Sequence, residues 1–171
     1  MRTALGSDER SHLTDYVEAD LRRRGHEVQL FGPPNGESLA WPDVAQAVAE
    51  AVAGGVADQG VLFCWTGTGV SIAANKVPGV RAALCGDAET ARGARAWNQA
   101  NVLCMSLRAT TETMATEIMN AWFAATPDHS EAANVDKVNA IDERYRFRQG
   151  GGGAGHGGES ENLSGGRRTK T

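Results

Sequence analysis

Short apolar runs alternate with amphipathic stretches of helix length through most of this chain, and that alternation constrains the fold more than any other feature. The apolar runs predict five strands, over 3–6, 27–31, 61–65, 80–85 and 102–105. The amphipathic stretches predict helices over 11–24, 43–53, 89–98, 111–124 and 132–146. Strands that alternate with helices form a parallel sheet between two helix layers. The sequence therefore predicts an α/β fold, a Rossmann-like three-layer α/β/α sandwich around a five-stranded parallel sheet.

The composition changes near residue 149. Residues 149–171 hold nine of the 21 glycines and a single large aliphatic residue, Leu163. A segment with so little apolar surface cannot offset the entropy lost when it becomes ordered. We therefore expect one domain over residues 1–148, followed by a Gly-rich disordered tail over 149–171.

Charge and cysteine content exclude several classes of protein. With 17 basic and 21 acidic side chains the net charge is −4, which argues against a nucleic-acid surface or an anionic membrane partner. Residues 1–30 lack the pattern of a secretory signal, and no apolar run reaches the roughly 20 residues that span a bilayer. The cysteines, Cys64, Cys85 and Cys104, are odd in number and have no CxxC spacing. They predict reduced thiols in a cytoplasmic protein.

The segment CWTGTGVS, residues 64–71, directly follows the third predicted strand. Glycines at alternate positions, Gly67 and Gly69, allow the backbone to turn its N–H groups toward an anion. Ligands of open α/β sheets bind at the carboxyl ends of the strands, where this loop lies. It is neither a Walker A loop nor a GxGxxG dinucleotide loop. Taken alone, the pattern also fits a tight connection between two elements.

A longer string gives this loop a specific resemblance. Residues 67–84, GTGVSIAANKVPGVRAAL, resemble the type B ribose-5-phosphate isomerase family, which includes the galactose-6-phosphate isomerase subunits. The resemblance continues through NQANVL at 98–103, is weaker at ALGSD, 4–8, and covers about residues 1–147. It implies a sugar-phosphate isomerase domain over 1–148. It also implies a homodimer, often paired into tetramers, in which the C-terminal helix reaches the partner and each active site is built from two subunits.

The resemblance implies that an aldose phosphate and a ketose phosphate interconvert through an enediolate, with neither a metal nor an organic cofactor. It assigns the proton transfer between C1 and C2 to Cys64. It assigns the binding of the oxyanion to a set of loop residues: Thr66, Gly67, Thr68, Gly69 and Ser71, which opens the next helix. Family members with serine at the cysteine position use a glutamate after the last loop glycine. That position is Val70 here, so Cys64 is the only candidate base. A thiol suits the task because its ordinary pKa is closer to neutrality than that of lysine.

Each cysteine also has a structural interpretation, because free cysteine is commonly a small buried apolar residue. For Cys64 that is the alternative to catalysis. Cys85 and Cys104 have no counterpart role in the resemblance, and we predict that both lie in the core.

The chain departs from the family pattern after the first strand. The family usually has Asp-His there, with the aspartate assisting sugar ring opening and the histidine binding phosphate, and this chain has Asp8-Glu9. A carboxylate beside a phosphate repels it by roughly 4 kcal/mol per charge pair at 4 Å in an effective dielectric of about 20. The alternative is that Glu9 is a solvated residue near a helix terminus. Two histidines lie nearby in the sequence: His12 is a surface residue or a proton source, and His26 is structural.

The other departures concern tryptophan and arginine. The family's ring-opening histidine precedes an asparagine, whereas this chain has Trp97-Asn98, and tryptophan cannot deliver a proton at neutral pH. Trp65 replaces a loop glycine, and packing is the alternative role of both tryptophans. Two arginines of the C-terminal helix are replaced by Ala133 and Lys137, while Arg108 is retained after the fifth strand. Asn98, Arg108 and Lys137 are the remaining candidates for substrate binding.

Three functions fit these residues. The first is an aldose–ketose isomerase that acts on a pentose or hexose phosphate. The second is a repurposed member that keeps the enolising cysteine but acts on a non-phosphorylated or atypical substrate in specialised biosynthesis. The third is a non-catalytic subunit of a hetero-oligomeric isomerase, against which an intact Cys64 argues.

Overall fold

A computed structural model describes residues 1–33 and 37–150, with no side-chain description beyond residue 145. Five strands alternate with helices, and the strands are β1 Arg2–Ser7, β2 Glu27–Phe31, β3 Gln59–Cys64, β4 Ala82–Leu84 and β5 Val102–Ser106. The helices are α1 His12–Arg23, α2 Trp41–Ala53, α3 Thr68–Ala74, α4 Ala88–Ala96, α5 Glu112–Ala124 and α6 Ala132–Gly150. A short 3-10 helix, His129–Glu131, precedes α6.

The strands form one parallel sheet in the order β2-β1-β3-β5-β4. Ser7 pairs with Phe63 and Cys64 pairs with Ser106, so β1, β3 and β5 end at the same edge of the sheet. Every residue of the central strand β3 is buried, as the apolar run at 61–64 predicts. The strand begins two residues before the predicted 61–65, at Gln59, and ends before Trp65, which is exposed. The predicted five-stranded parallel sheet is confirmed, and its carboxyl edge gathers the loops that follow the three middle strands.

Apolar side chains cover both faces of the sheet. One cluster joins β1, β3 and β5 to α1, α4 and α5, with Trp122 and Phe63 as its largest fully buried members. The other packs α2 and α3 on the opposite face and includes Leu62, Val48 and Cys64. The molecule is therefore the predicted three-layer sandwich, and Cys64 faces the α2 and α3 layer.

The fourth strand differs most from its prediction. The sequence predicts a buried strand over 80–85, but β4 covers only Ala82–Leu84 and leaves Leu84 exposed. The reason is that β4 is an edge strand, paired on one side only. On the open side the Asn75 side chain donates to the Ala82 carbonyl and accepts from the Ala82 N–H, at 2.8 and 2.9 Å. This side chain takes the place of a neighbouring strand at that residue.

The C-terminal helix runs further than the predicted 132–146. It ends at Gly150, so the expected domain boundary at residue 148 falls within α6. Most of the predicted tail, 151–171, lies outside the described residues. In residues 1–33 and 37–150, no helix has both the length and the apolar character needed to cross a membrane.

Candidate active site

The loop after β3 depends on a glycine that no other residue could replace without strain. Gly67 has φ +74°, in the left-handed region. A Cβ atom built on it would lie 2.9 Å from the backbone C and O atoms of Met105 and 2.5 Å from a methyl of Leu84. The chain can therefore turn tightly over the end of β5 only because this side chain is absent.

Internal hydrogen bonds hold the loop in that conformation. The N–H of Gly67 donates to the carbonyl of Cys64 at 3.2 Å, and the hydroxyls of Thr66 and Thr68 lie 2.6 Å apart. Both threonines are exposed. The Gly67 amide is thus used within the loop, so Gly67 supplies conformation and not the oxyanion donor that the resemblance predicts.

The amides that point out of the loop belong to the start of α3. The first intrahelical bond runs from the Ser71 N–H to the Gly67 carbonyl at 3.3 Å. The three preceding amides, of Thr68, Gly69 and Val70, have no acceptor inside the helix. The candidate oxyanion donors are therefore Thr68 and Gly69, as predicted, together with Val70, which sequence reasoning considered only as a missing base.

Ser71 does not open the helix, because α3 begins at Thr68. Burial raises the pKa of the Cys104 thiol well above its ordinary value, and the nearby Ser71 side chain acts more weakly in the opposite direction. Ser71 therefore lies near β5, on the partly buried side of α3.

Cys64 ends β3 directly beneath this loop. The residue is 5% exposed and belongs to the same buried cluster as Val70 and Cys104. All three cysteines are free. Cys85, in the opposite cluster, is fully buried, and burial followed by the charge of Asp87 raises its pKa to about 12. The prediction that Cys85 and Cys104 are core residues is confirmed.

Asp8 directly follows β1, at the same edge of the sheet as Cys64. Ser7 pairs with Phe63, so Asp8 and Cys64 each come one residue after that pair, at the carboxyl ends of neighbouring strands. Its Oδ1 atom is buried and has no hydrogen-bond partner in the described part of the chain. Burial, followed by the negative charge of Glu9, raises the pKa of the Asp8 carboxyl. A carboxyl with these properties is suited to giving and taking a proton.

We expect Asp8→Asn to raise the melting temperature at pH 7. The folded pKa is raised above the ordinary 3.8, so between the two pKa values the folded state holds a proton that the unfolded state has lost. Stability of the parent therefore falls as pH rises from about 3.8 through the folded pKa, and the penalty is fully present above the folded pKa. The amide cannot ionise, so it removes this penalty. Melting curves of both proteins at pH 7 and pH 4 test this, and a variant that is less stable at pH 7 would contradict it.

Arg108 is brought to the same edge of the sheet. Its backbone N–H donates to the carbonyl of Trp65 at 3.0 Å, which joins the loop after β5 to the loop after β3. The Ser106 hydroxyl donates to the same carbonyl at 2.9 Å. The Arg108 side chain is exposed, and Trp65 is 61% exposed, so Trp65 fills no gap within this chain.

Glu9 lies on the α1 side of the same edge. It lines a cavity of about 300 Å³ between β1, β2 and α1, together with Ser7, Arg10 and Asp15. Arg10 is already engaged by Asp15, at 2.8 Å. An anion entering this cavity would therefore meet Glu9 together with an arginine whose charge is already paired.

The remaining predicted residues lie at the opposite edge of the sheet. Trp97 and Asn98 precede β5, where the Asn101 N–H donates to the Arg81 carbonyl at the start of β4. Both residues are exposed, and the Trp97 ring packs on Gly93 with Arg92 5.2 Å from its centre. Along β3, the step from Gly60, which pairs with the start of β5, to Cys64 is four residues, or about 13 Å. Within one chain, Asn98 and Cys64 cannot touch the same reacting atoms.

Lys137 and Ala133 are exposed on α6, at this same opposite edge. The helix is tied there by Asp142, whose carboxylate accepts from the Gly79 N–H at 2.8 Å. Between α6 and the residues that precede β4 and β5 lies a cavity of about 490 Å³, lined by Trp97, Asn98, side chains of α6 and others. Val138 and Ile141 of α6 are 49% and 54% exposed.

The two histidines near the start of the chain are both explained by the structure. His12 is highly exposed and lies 2.6 Å from Glu112, so it is a surface residue. His26 is held by the Thr3 hydroxyl at 2.9 Å and packs edge-on against Phe123, as a structural residue does. Among residues 1–33 and 37–150, no group of three or more His, Cys, Asp or Glu side chains could hold a metal ion.

Comparisons with known proteins agree with this architecture. A model of the Ribose/Galactose Isomerase family matches residues 3–141. Ribose-5-phosphate isomerase B of Escherichia coli is 37% identical over 145 residues, which cover 84% of this chain and 97% of that protein. D-erythrulose-4-phosphate isomerase of Pectobacterium atrosepticum is 38% identical over 152 residues, with coverage of 85% and 97%.

Solved structures are similar to the same extent. Ribose-5-phosphate isomerase B of Clostridium thermocellum matches with a TM-score of 0.81 and 39% identity, over 85% of this chain and 99% of that one. The Mycoplasma genitalium protein, solved with bound ribulose-5-phosphate, matches with a TM-score of 0.78 and 32% identity, over 83% and 96%. The fold, the loop after β3 and these relatives define an aldose–ketose isomerase. The chain belongs to the ribose/galactose isomerase family.

Proposed function

We propose that this protein isomerises a sugar phosphate through an enediolate, with Cys64 as the base and the first amides of α3 as the oxyanion site. The single observation that supports this most directly is the position of the thiol. Cys64 ends the central strand beneath a loop whose Thr68, Gly69 and Val70 amides lack acceptors within α3. Preorganised donors of this kind stabilise the charge that develops on the substrate oxygen.

The proposed reaction has two proton transfers. The Cys64 thiolate removes the proton from C2 of the open-chain aldose, and the C–H electron pair forms the C1–C2 double bond while negative charge moves to O1. The amides bind that oxygen. The thiol then returns the proton to C1, the O2 hydroxyl proton moves to O1, and the ketose remains. Asp8, with its raised pKa, serves the ring-opening step that precedes these transfers.

We further propose that a second copy of this chain completes each site. Asn98 and Lys137 lie at the edge of the sheet opposite Cys64, so in this proposal they serve the site of a partner subunit. The exposed apolar side chains of α6 that flank the second cavity, Val138 and Ile141, suit a helix that is covered in a dimer. Three free, buried thiols suit the cytoplasm as the site of this reaction.

Two sugar phosphates of different chain length are the first candidates for the substrate. Relatives of similar identity act, by their names, on ribose 5-phosphate and on D-erythrulose 4-phosphate, at 37% and 38%. The first candidate is therefore ribose 5-phosphate, and the second is a four-carbon ketose phosphate. A non-phosphorylated or otherwise atypical substrate is a further alternative, favoured by the negative charge of Glu9 and by the loss of the ring-opening histidine at Trp97. Assays with both phosphates and with free ribose separate the three.

We expect turnover of ribose 5-phosphate to be weak and to improve in Glu9→His and Trp97→His. Losing one charge-assisted contact costs about 1.5–3 kcal/mol, or roughly 10- to 150-fold in affinity. Glu9→His removes the like charge, and Trp97→His restores a group that can transfer a proton. Steady-state kinetics of the parent and both variants test this. An efficient parent that neither histidine improves would show that these two departures do not set the substrate.

A further inference from the structure

Leu39 and Trp41, at the start of α2, contact both halves of the proposed site. The N–H of Leu39 donates to the carbonyl of Asp8 at 2.9 Å. Two residues later Trp41 begins α2, and its indole lies against the loop after β3. A Cβ atom built on Gly69 would be 3.1 Å from Cδ2 and Cε3 of that ring. The indole therefore contacts the glycine whose N–H is one of the candidate oxyanion donors.

The backbone that carries this indole is held in place by α2. Pro42 follows it in the first turn of α2, and Val44, Ala45 and Val48 of the same helix are buried in the core cluster that includes Cys64. Proline restricts the backbone at this point. Trp41 is nevertheless 43% exposed, so a large part of its ring is available to a ligand. It is a flat apolar surface beside a site whose other groups are polar.

We propose that Trp41 is a positioning residue for the isomerisation, whose indole covers the reacting carbons and keeps water away from the Cys64 thiol. This inference rests on the proposed function. Excluding water strengthens the interaction between the amides and the developing oxyanion, because the local dielectric is lower. It also keeps the abstracted proton on the thiol until that proton returns to C1. An open site would allow the proton to exchange with solvent first.

The first reason to assign this role to Trp41 is geometric. Its ring contacts the oxyanion loop through Gly69, and Leu39, two residues before it, is hydrogen-bonded to the Asp8 carbonyl, so Trp41 lies at the same edge of the sheet as the groups that handle protons. The second reason is the glycine itself. Any side chain at residue 69 would have to displace the indole, so the close approach of ring and loop depends on a residue without a Cβ atom.

The experiment is isomerisation of a sugar phosphate from the substrate panel in D₂O, with deuterium in the product measured by mass spectrometry. We expect Trp41→Ala to increase the deuterium fraction and to lower kcat roughly tenfold, less than the 10²–10³ lost when an oxyanion donor is removed. Trp41→Phe keeps an aromatic ring and restores both values toward those of the parent. Val56→Ala truncates another exposed apolar residue, near the opposite edge of the sheet, and changes neither.

The possible outcomes are separable. If the parent isomerises a sugar phosphate while Trp41→Ala leaves both deuterium incorporation and kcat unchanged, the role of Trp41 is wrong and the proposed function stands. If the parent isomerises none of the sugar phosphates, the proposed function and this inference both fail. Melting curves check folding of each variant. Trp41→Leu keeps an apolar contact with Gly69 but no ring, and it provides the same measurement if Trp41→Ala does not fold.

Discussion

Cys64→Ala should lose at least about a hundredfold in kcat while the protein remains folded. That is the low end of what a positioned acid–base group contributes to a proton transfer. Of the three cysteines, Cys64 alone has any exposed surface, since Cys85 and Cys104 are fully buried. No carboxylate stands after the last loop glycine to replace it, because that residue is Val70. The substitution removes one sulfur atom next to the surface, so the core cluster keeps its other members.

Cys85→Ala is the matched control for that experiment. It removes a thiol that is fully buried in the opposite cluster and whose pKa of about 12 keeps it protonated at neutral pH. Its turnover should be close to that of the parent. Melting curves of both alanine variants separate loss of chemistry from loss of fold. Near-normal turnover of Cys64→Ala on the true substrate would show that another group is the base.

Most of the fold could be predicted from the sequence because runs of apolar residues indicate which strands are buried. Residues 61–64 of β3 are an unbroken apolar run, and all of them are buried. The edge position of β4 could not be predicted in this way. Its residues are as apolar as those of an inner strand, and only the pairing order, set by contacts distant in sequence, leaves Leu84 exposed.

The parts of the site formed by residues adjacent in sequence could be predicted. The contacts between residues distant in the chain could not. The CWTGTGVS string alone indicates a loop with outward amides at the end of a strand, but not which amide is used internally. That depends on the bond from Gly67 to the Cys64 carbonyl. The position of Trp41 at the site could not be predicted, because its contact with Gly69 joins residues 28 positions apart in the chain. A tryptophan before a proline reads simply as the start of a helix.

Mixed dimers of two impaired variants should regain about half the activity of the parent if Cys64 and Asn98 serve the same site from different subunits. Cys64→Ala abolishes proton transfer. Asn98→Ala removes a hydrogen bond to a charged intermediate, a loss of roughly 10- to 150-fold. In a two-fold symmetric dimer that contains one copy of each, one site carries both defects and the other carries neither. Co-expression with two different affinity tags and tandem purification isolates this species.

The matched control pairs Cys64→Ala with Asp8→Asn. These two residues come directly after the paired residues Ser7 and Phe63 on adjacent strands of one chain, so each site of that mixed dimer contains one defect and activity stays at the level of the single variants. The contrast follows from the sheet alone: Asp8 and Cys64 are at its carboxyl edge, and Asn98 precedes β5 at the other. Failure to recover any species that carries both tags would indicate a monomer. A mixed dimer of Cys64→Ala and Asn98→Ala that stays inactive would place the whole site within one subunit, and Asn98 outside it.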